Sequence, residues 1–255
     1  MTCSLILLLG VSLGQQSTAS GMHQLTADIP GVGQVLYAIS IPKGYDASRP
    51  APLVLVLHSG GQRMRYYGAA YARLLVEPAL RDLQPIILAP DCPWSSWGDP
   101  AAEKMVMTLV DETMRGYAID RTRVLVTGFS MGGRGAWFMA SRHADLFTAA
   151  IPMAASTGDL PADTLARQPT YVIHSRDDEV VPFLPAEKNA RELERQGKTL
   201  KFEAVDGLKH FEMVRYPEAL RRAANWMRDR WGRNSSATHS RRGSMPQPTR
   251  PASRS

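Results

Sequence analysis

The turn Gly128-Phe129-Ser130-Met131-Gly132 lies between an apolar run, Val124-Leu125-Val126, and a helical pattern carrying Trp137, Phe138 and Met139. A strand that turns this sharply into a helix pushes the side chain at the centre of the turn out beyond the strand's end. Glycine is needed two residues to either side, because a side chain there would meet the neighbouring helix or strand. Ser130 is therefore a candidate nucleophile. A free hydroxyl attacks poorly at neutral pH, so it needs a base to take its proton. A glycine-rich strand–helix turn can instead cradle phosphate. Gly128, Gly132, Gly133 and Gly135 do not have the G-x-G-x-x-G spacing, and no P-loop lysine follows.

The base is sought among six histidines. His23 lies before the first expected strand, His143 ends the helix after the turn, and His239 sits in a basic tail. His58 and His174 end strands, where their neighbours suit them to other roles. His210 follows the last expected strand, in a loop begun by Asp206-Gly207, and is the candidate base. An acid must orient its ring and stabilise the imidazolium that forms. Asp177, Asp178 and Glu179 stand together after the strand Thr170 to His174, and Asp159 follows the strand before it. The charge of a tetrahedral oxyanion must meet donors fixed in advance. The N–H of Met131, at the helix start, supplies one, and the loop after the strand ending at His58 should supply another. Trp94, Trp97 and Phe183 lie on loops at the same end and are expected to line an apolar substrate pocket. No His/Cys/Asp cluster has metal-ligand spacing, and no cofactor is implied.

These side chains need a frame that brings them to one end. Gln34 to Pro42 alternates as a half-buried strand, and Ala51 to His58 and Pro85 to Pro90 are continuous apolar runs of strand length. Ala149 to Met153, Thr170 to His174 and Leu200 to Val205 read as further strands. Between them, Tyr66 to Leu80, Ala101 to Tyr117, Pro185 to Gln196 and Pro217 to Trp231 read as helices. Regular alternation predicts an open, mostly parallel sheet with helices on both faces. Ligands in such a sheet bind beyond the carboxyl ends of the strands, where every candidate above sits. The stretch between Met153 and Thr170 is too short for a helical lid domain.

The 255 residues suffice for one α/β domain, and 44% hydrophobic with 21% charged residues is ordinary for a globular chain. The net charge is +6, but Arg233, Arg241, Arg242, Arg250 and Arg254 lie in a final stretch with no acid; six less five leaves about +1 for the rest. The basic balance therefore belongs to the tail and argues against a nucleic-acid partner. Leu5 to Leu13 is apolar yet too short to span a bilayer, and Ser17-Thr18-Ala19 fits a small-x-small cleavage site. Residues 1–19 read as a secretory signal peptide, atypical in having no Lys or Arg in Met1 to Ser4, and the product as secreted or periplasmic. Residues 20–231 form the expected domain, and 232–255, rich in Ser, Arg, Pro and Thr, an expected disordered tail. Of two cysteines, Cys3 and Cys92, cleavage would leave Cys92 alone, and no strand–turn–helix surrounds it.

With these residues in hand the chain resembles α/β-hydrolase esterases of the polyhydroxybutyrate depolymerase, feruloyl esterase and dienelactone hydrolase group. The resemblance rests on LVLVLHSGG (53–61), IILAPDCPW (86–94), IDRTRVLVTGFSMGGRGAWFMA (119–140), YVIHSRDDEVVP (171–182) and VDGLKHFEM (205–213). It implies the α/β-hydrolase fold and the chain order Ser130, Asp, His210. The family's His-Gly-x-x-Asp-x-x-Val-Pro loop matches His174 to Pro182 with Ser175 for the glycine, which puts the acid at Asp178. Its His-Gly-Gly-Gly loop matches His58-Ser59-Gly60-Gly61, which gives the second oxyanion donor to Gly60, with Gly61 as the alternative. Gly207-Leu208-Lys209-His210 is a looser match to the family's Gly-x-Gly-His. The implied activity is cleavage of a small-molecule or polymer-borne carboxylic ester without a cofactor. A peptidase or acyltransferase on the same fold is the alternative, and a non-catalytic binding module a further one.

Overall fold

The computed structural model describes residues 12–13, 18–61 and 64–242, with side chains in the last helix described to Trp231. Among the described residues nine strands form one sheet: β1 (Ser12–Leu13), β2 (Gly21–Ile29), β3 (Gly33–Ile41), β4 (Ala51–Leu57), β5 (Ile86–Pro90), β6 (Ile119–Phe129), β7 (Ala149–Met153), β8 (Thr170–Ser175) and β9 (Leu200–Val205). Their order is β1-β2-β3-β5-β4-β6-β7-β8-β9. The first three strands join antiparallel, β3 to β5 included, and every pair from β5 to β9 is parallel. This is the α/β-hydrolase fold, with a mostly parallel open sheet.

The parallel strands read as unbroken apolar runs because both of their faces are covered. In β4, Val54 and Val56 face one core with Tyr71, Leu75 and Leu220. Leu53, Leu55 and Leu57 face the other with Met105, Leu109 and Met139. All seven β4 residues are buried, and fully burying each aliphatic side chain contributes about 1.5–3 kcal/mol before the entropy of ordering it is set against it. The first core lies under α1 (Tyr67–Tyr71), the turn after it, α2 (Glu77–Leu80) and α6 (Pro217–Arg242); the second lies under α3 (Pro100–Gly116) and α4 (Met131–Arg142). A smaller cluster joins Trp137 of α4 to Leu193 of α5 (Phe183–Arg195) and Phe202 of β9.

Three features differ from the sequence reading. His23 does not precede the first strand; it sits within β2, which pairs with β3 along its whole length. The hairpin turns through Pro30 to Val32, with Gly31 at φ 75° and Gly33, the first residue of β3, at φ 98°. The helix expected over Tyr66 to Leu80 forms, but Ala72–Val76 is wound as a π turn between α1 and α2. The last helix does not stop at Trp231. Its backbone continues to Arg242, since adding residues to a helix already nucleated by a packed face is easy compared with starting one. The signal-peptide reading falls mostly on residues outside the described ones, as do residues 243–255. Between β7 and β8 there is a single 3-10 turn, Ala162–Thr164.

Candidate active site

Ser130 lies between β6 and α4 with φ 56° and ψ −116°, a conformation that costs a non-glycine residue about 1–3 kcal/mol. Its surroundings hold it there. The Ser130 N–H donates to Met153 O at 2.9 Å, and Ser130 O accepts the first helical N–H, from Arg134, at 2.9 Å. The flanking glycines are required by close approach. A Cβ on Gly132 would fall 1.9 Å from Leu57 O, and one on Gly128 2.3 Å from Gly132 O. The elbow is thus wedged against the end of β4, the strand that leads into the His58–Gly61 loop.

His210 Nε2 lies 2.8 Å from Ser130 Oγ. On the other side of the ring, Nδ1 lies 2.8 Å from Asp178 Oδ2 and 3.0 Å from Oδ1. Both side chains are buried, His210 at 5% and Asp178 at 9% exposure. The Asp178 carboxylate is held by its own turn: Oδ1 accepts the N–H of Val180 at 2.9 Å and of Val181 at 2.8 Å. With an acid accepting at Nδ1, the ring carries its hydrogen there and leaves Nε2 free to take the serine proton. Phe129 and Phe211 pack on the ring at 5.1 and 5.5 Å between centroids. Asp177 and Asp159 do not reach His210 Nδ1; Asp177 accepts from Gly207 N instead.

The two other strand-end histidines are structural. His58 Nε2 accepts the N–H of Cys92 at 2.9 Å, so Nδ1 carries the hydrogen that goes to Ser59 O at 2.8 Å. Tyr67 and Trp97 pack on its ring at 4.7 and 5.1 Å. Burial pushes its pKa below the ordinary value, which favours the neutral ring over the charged one. His174, fully buried, donates from Nε2 to Val181 O at 3.0 Å and so pins the far end of the Asp178 turn. Its pKa is also lowered, again by burial first.

Gly60 and Met131 adjoin: a Cβ on Gly60 would stand 3.7 Å from that of Met131. A cavity of about 510 Å³ opens beside them, lined also by Ser59, Tyr67, Cys92 and Trp94. A larger one, about 640 Å³, lies at the opposite end of the strands near Ile41, Glu77 and Arg81, and holds no reacting side chain. Of the three side chains expected to line the pocket, the structure brings only Trp94 to the cavity. Trp97 is fully buried; its indole N–H donates to His58 O at 3.0 Å, and it fills the space that Gly135 leaves open. Phe183 packs behind the acid turn, against His174 at 5.9 Å and Phe202 at 5.7 Å. The aromatic residues looked alike in sequence, but only the pairing of loops separates a pocket wall from a core side chain. Tyr67 was missed. Its position just after the glycine loop was the available signal, and its hydroxyl lies 3.0 Å from Ser59 Oγ. Asp91 was missed too. Its carboxylate accepts the Gly68 N–H at 2.8 Å at the start of α1, and burial pushes its pKa up. Among the described residues no helix is long and apolar enough to cross a membrane.

The chain is similar to a probable feruloyl esterase C of Aspergillus terreus, 25% identical over 191 residues that make up 71% of this chain and 69% of that protein. A thermostable esterase of known structure is 26% identical with a TM-score of 0.65, over 73% of this chain and 55% of its own. A fluorophosphonate-binding serine hydrolase of Staphylococcus aureus shares the fold at 16% identity and a TM-score of 0.68, over 82% of this chain and 99% of its own. The family model of the dienelactone hydrolases matches residues 98–235, which carry Ser130, Asp178 and His210 and make up more than half of the sequence. The chain belongs to the dienelactone hydrolase family, a hydrolase on the α/β-hydrolase fold.

Proposed function

We propose that the chain is a serine esterase that cleaves carboxylic esters through an acyl-enzyme. The observation that carries this is the line from Asp178 through His210 to Ser130 Oγ, with 2.8 Å at each junction. His210 Nε2 takes the Ser130 proton as Oγ bonds to the ester carbonyl carbon. The carbonyl π pair moves to oxygen, and the N–H groups of Met131 and Gly60 receive that charge. The oxyanion collapses, the carbon–alkoxy bond breaks, and His210 returns its proton to the departing alcohol. Water then gives a proton to the same nitrogen and attacks the acyl carbon. Ser130 leaves with that proton, and the free acid departs. Asp178 keeps the ring in the required tautomer and stabilises the imidazolium in both halves.

The cavity beside Gly60, with Trp94 in its wall, is where the organic part of the ester would lie. Export of the protein is the reading of Leu5 to Leu13 and Ser17-Thr18-Ala19. Cleavage after Ala19 would remove β1 and leave β2 as the sheet edge, with its pairing to β3 intact. A panel of acetyl, longer acyl and aromatic-acid esters, with a peptide anilide beside them, tests the function on wild type and Ser130→Ala. Ester turnover in wild type alone is expected. Anilide turnover exceeding that of every ester would move the reading to a peptidase.

A further inference from the structure

The loop that carries His210 has little core to hold it. Between β9 and the 3-10 turn at Met213–Arg215, Asp206, Gly207, Lys209 and Phe211 are exposed. Gly207, at a left-handed φ of 70°, has no side chain to restrain the backbone. Leu208 and His210 itself are the buried side chains of that loop. Yet a base must stand within a few tenths of an ångström of the proton it takes.

The loop is tied within itself, with Lys209 N–H donating to Glu212 Oε2 at 2.8 Å and Arg215 Nη1 to Gly207 O at 3.2 Å, and it is tied across to the turn that carries the acid. Four consecutive residues after β8 each reach across to the loop. Arg176 Nη1 donates to Asp206 Oδ1 at 2.8 Å. Asp177 Oδ2 accepts the N–H of Gly207 at 2.6 Å. Asp178 meets the His210 ring, and Glu179 Oε2 accepts the backbone N–H of His210 at 3.1 Å. The turn is itself tied, with the Asp177 N–H on Ser175 Oγ at 3.1 Å. The Asp178–His210 contact is therefore flanked by two carboxylates that grip the backbone of the base loop, one three residues ahead of the base and one at the base itself.

The geometry points to Asp177 and Glu179 as positioning residues. By accepting N–H groups of the base loop they set where the His210 ring stands relative to Ser130 Oγ. This rests on the esterase reading above. Neither side chain touches the reacting atoms, and the cavity beside Gly60 is lined by neither. Their loss should therefore slow turnover without weakening substrate binding. An amide in place of either carboxylate keeps an oxygen that can accept the same N–H, so the conservative variants should recover what alanine loses.

The experiment uses the full chain as Asp177→Ala, Glu179→Ala, Asp177→Asn and Glu179→Gln. It reads kcat and KM on p-nitrophenyl acetate, and hydrogen exchange of peptides covering 206–213. Each alanine variant should lose about ten-fold in kcat at unchanged KM and exchange faster over 206–213, since a loop released from its bonds opens more often. The Asn and Gln variants should return to within about three-fold of wild type, and they alone carry the test if an alanine variant does not fold. Alanine variants with wild-type kcat, a fall in kcat without faster exchange, or Asn and Gln variants that fail like alanine would each overturn the proposal. Ser130→Ala separates the two readings. If it keeps full activity the esterase reading fails, while the exchange measurement still tests the grip on the loop.

Discussion

Asp178→Asn is a sharp perturbation because it changes one atom and its consequence follows from four distances. Asp178 Oδ1 accepts two backbone N–H groups at 2.9 and 2.8 Å, and Oδ2 faces His210 Nδ1 at 2.8 Å. In the asparagine the carbonyl oxygen must stay with the two N–H groups, so the NH2 takes the place of Oδ2. Two donors would then stand 2.8 Å apart, leaving Nδ1 only the oxygen at 3.0 Å that already accepts two N–H groups. The imidazole escapes by moving its hydrogen to Nε2, which lies 2.8 Å from Ser130 Oγ and no longer has a lone pair for the serine proton. Turning the amide over restores the working tautomer but strands two part-buried N–H groups, those of Val180 and Val181, at about 1–3 kcal/mol each. The midpoint of that range, about 4 kcal/mol in all, corresponds to about a thousand-fold in rate. The assay is kcat on a short-chain p-nitrophenyl ester, with thermal unfolding to show that the fold is kept. Asp177→Asn, which retains an acceptor for Gly207 N, should lose less than about three-fold. A loss under ten-fold for Asp178→Asn, or an equal loss for Asp177→Asn, would mean that Asp178 does not set the tautomer of His210.

Other expectations concern the frame. Trp97→Ala should cost about 3–5 kcal/mol of stability, since the indole is fully buried and bonded to His58 O, whereas Trp94→Ala, at a half-buried side chain on the cavity wall, should raise KM at a smaller cost in stability. A KM effect from Trp97→Ala at unaltered stability would reverse that assignment. Gly132→Ala puts a methyl 1.9 Å from Leu57 O, so either β4 or the elbow must give way. The expected loss is at the upper end for overpacking, about 3 kcal/mol, and urea unfolding measures it. Stability should also fall as pH drops from 7 to 5. Burial holds His58 and His174 below the ordinary 6.5, so the unfolded chain takes up protons that the folded one refuses. Asp91, held high by burial, opposes this, and the lowered carboxyls of Glu103 and Asp120 contribute losses only at lower pH, beneath their ordinary values. An unfolding temperature that stays level or rises over that interval would contradict it.

The parallel half of the fold is legible because burial on both faces leaves unbroken apolar runs, as in APLVLVL, IILAP and TYVIH, and because each run ends in polar residues at one end of the sheet. The edge is less so. In β2, GMHQLTADI, only Ala27 and Ile29 are buried, and a largely exposed strand next to the sheet's edge needs no strong pattern. The π turn at Ala72–Val76 leaves no mark in the sequence either, since the residues are ordinary helix formers. Motif spacing singled out Ser130 and His210, and the resemblance chose between Asp177 and Asp178, which composition and position leave equal. What separates those two carboxylates is the direction each takes out of a four-residue turn. Asp178 goes inward to an imidazole and Asp177 outward to a glycine N–H, a property of folded backbone alone. Trp94 and Trp97 divide for the same reason, three residues apart on one loop.

The central claim is that Ser130 is a nucleophile made reactive by His210 and Asp178. A fluorophosphonate probe reacts with such a serine by forming an oxygen–phosphorus bond and expelling fluoride. Labelling the folded protein and locating the adduct by peptide mass spectrometry tests the claim directly. One adduct is expected on the peptide containing Ser130, absent from Ser130→Ala, absent after heat denaturation and strongly slowed in His210→Ala. No label on folded wild type, or equal labelling in Ser130→Ala, would contradict it.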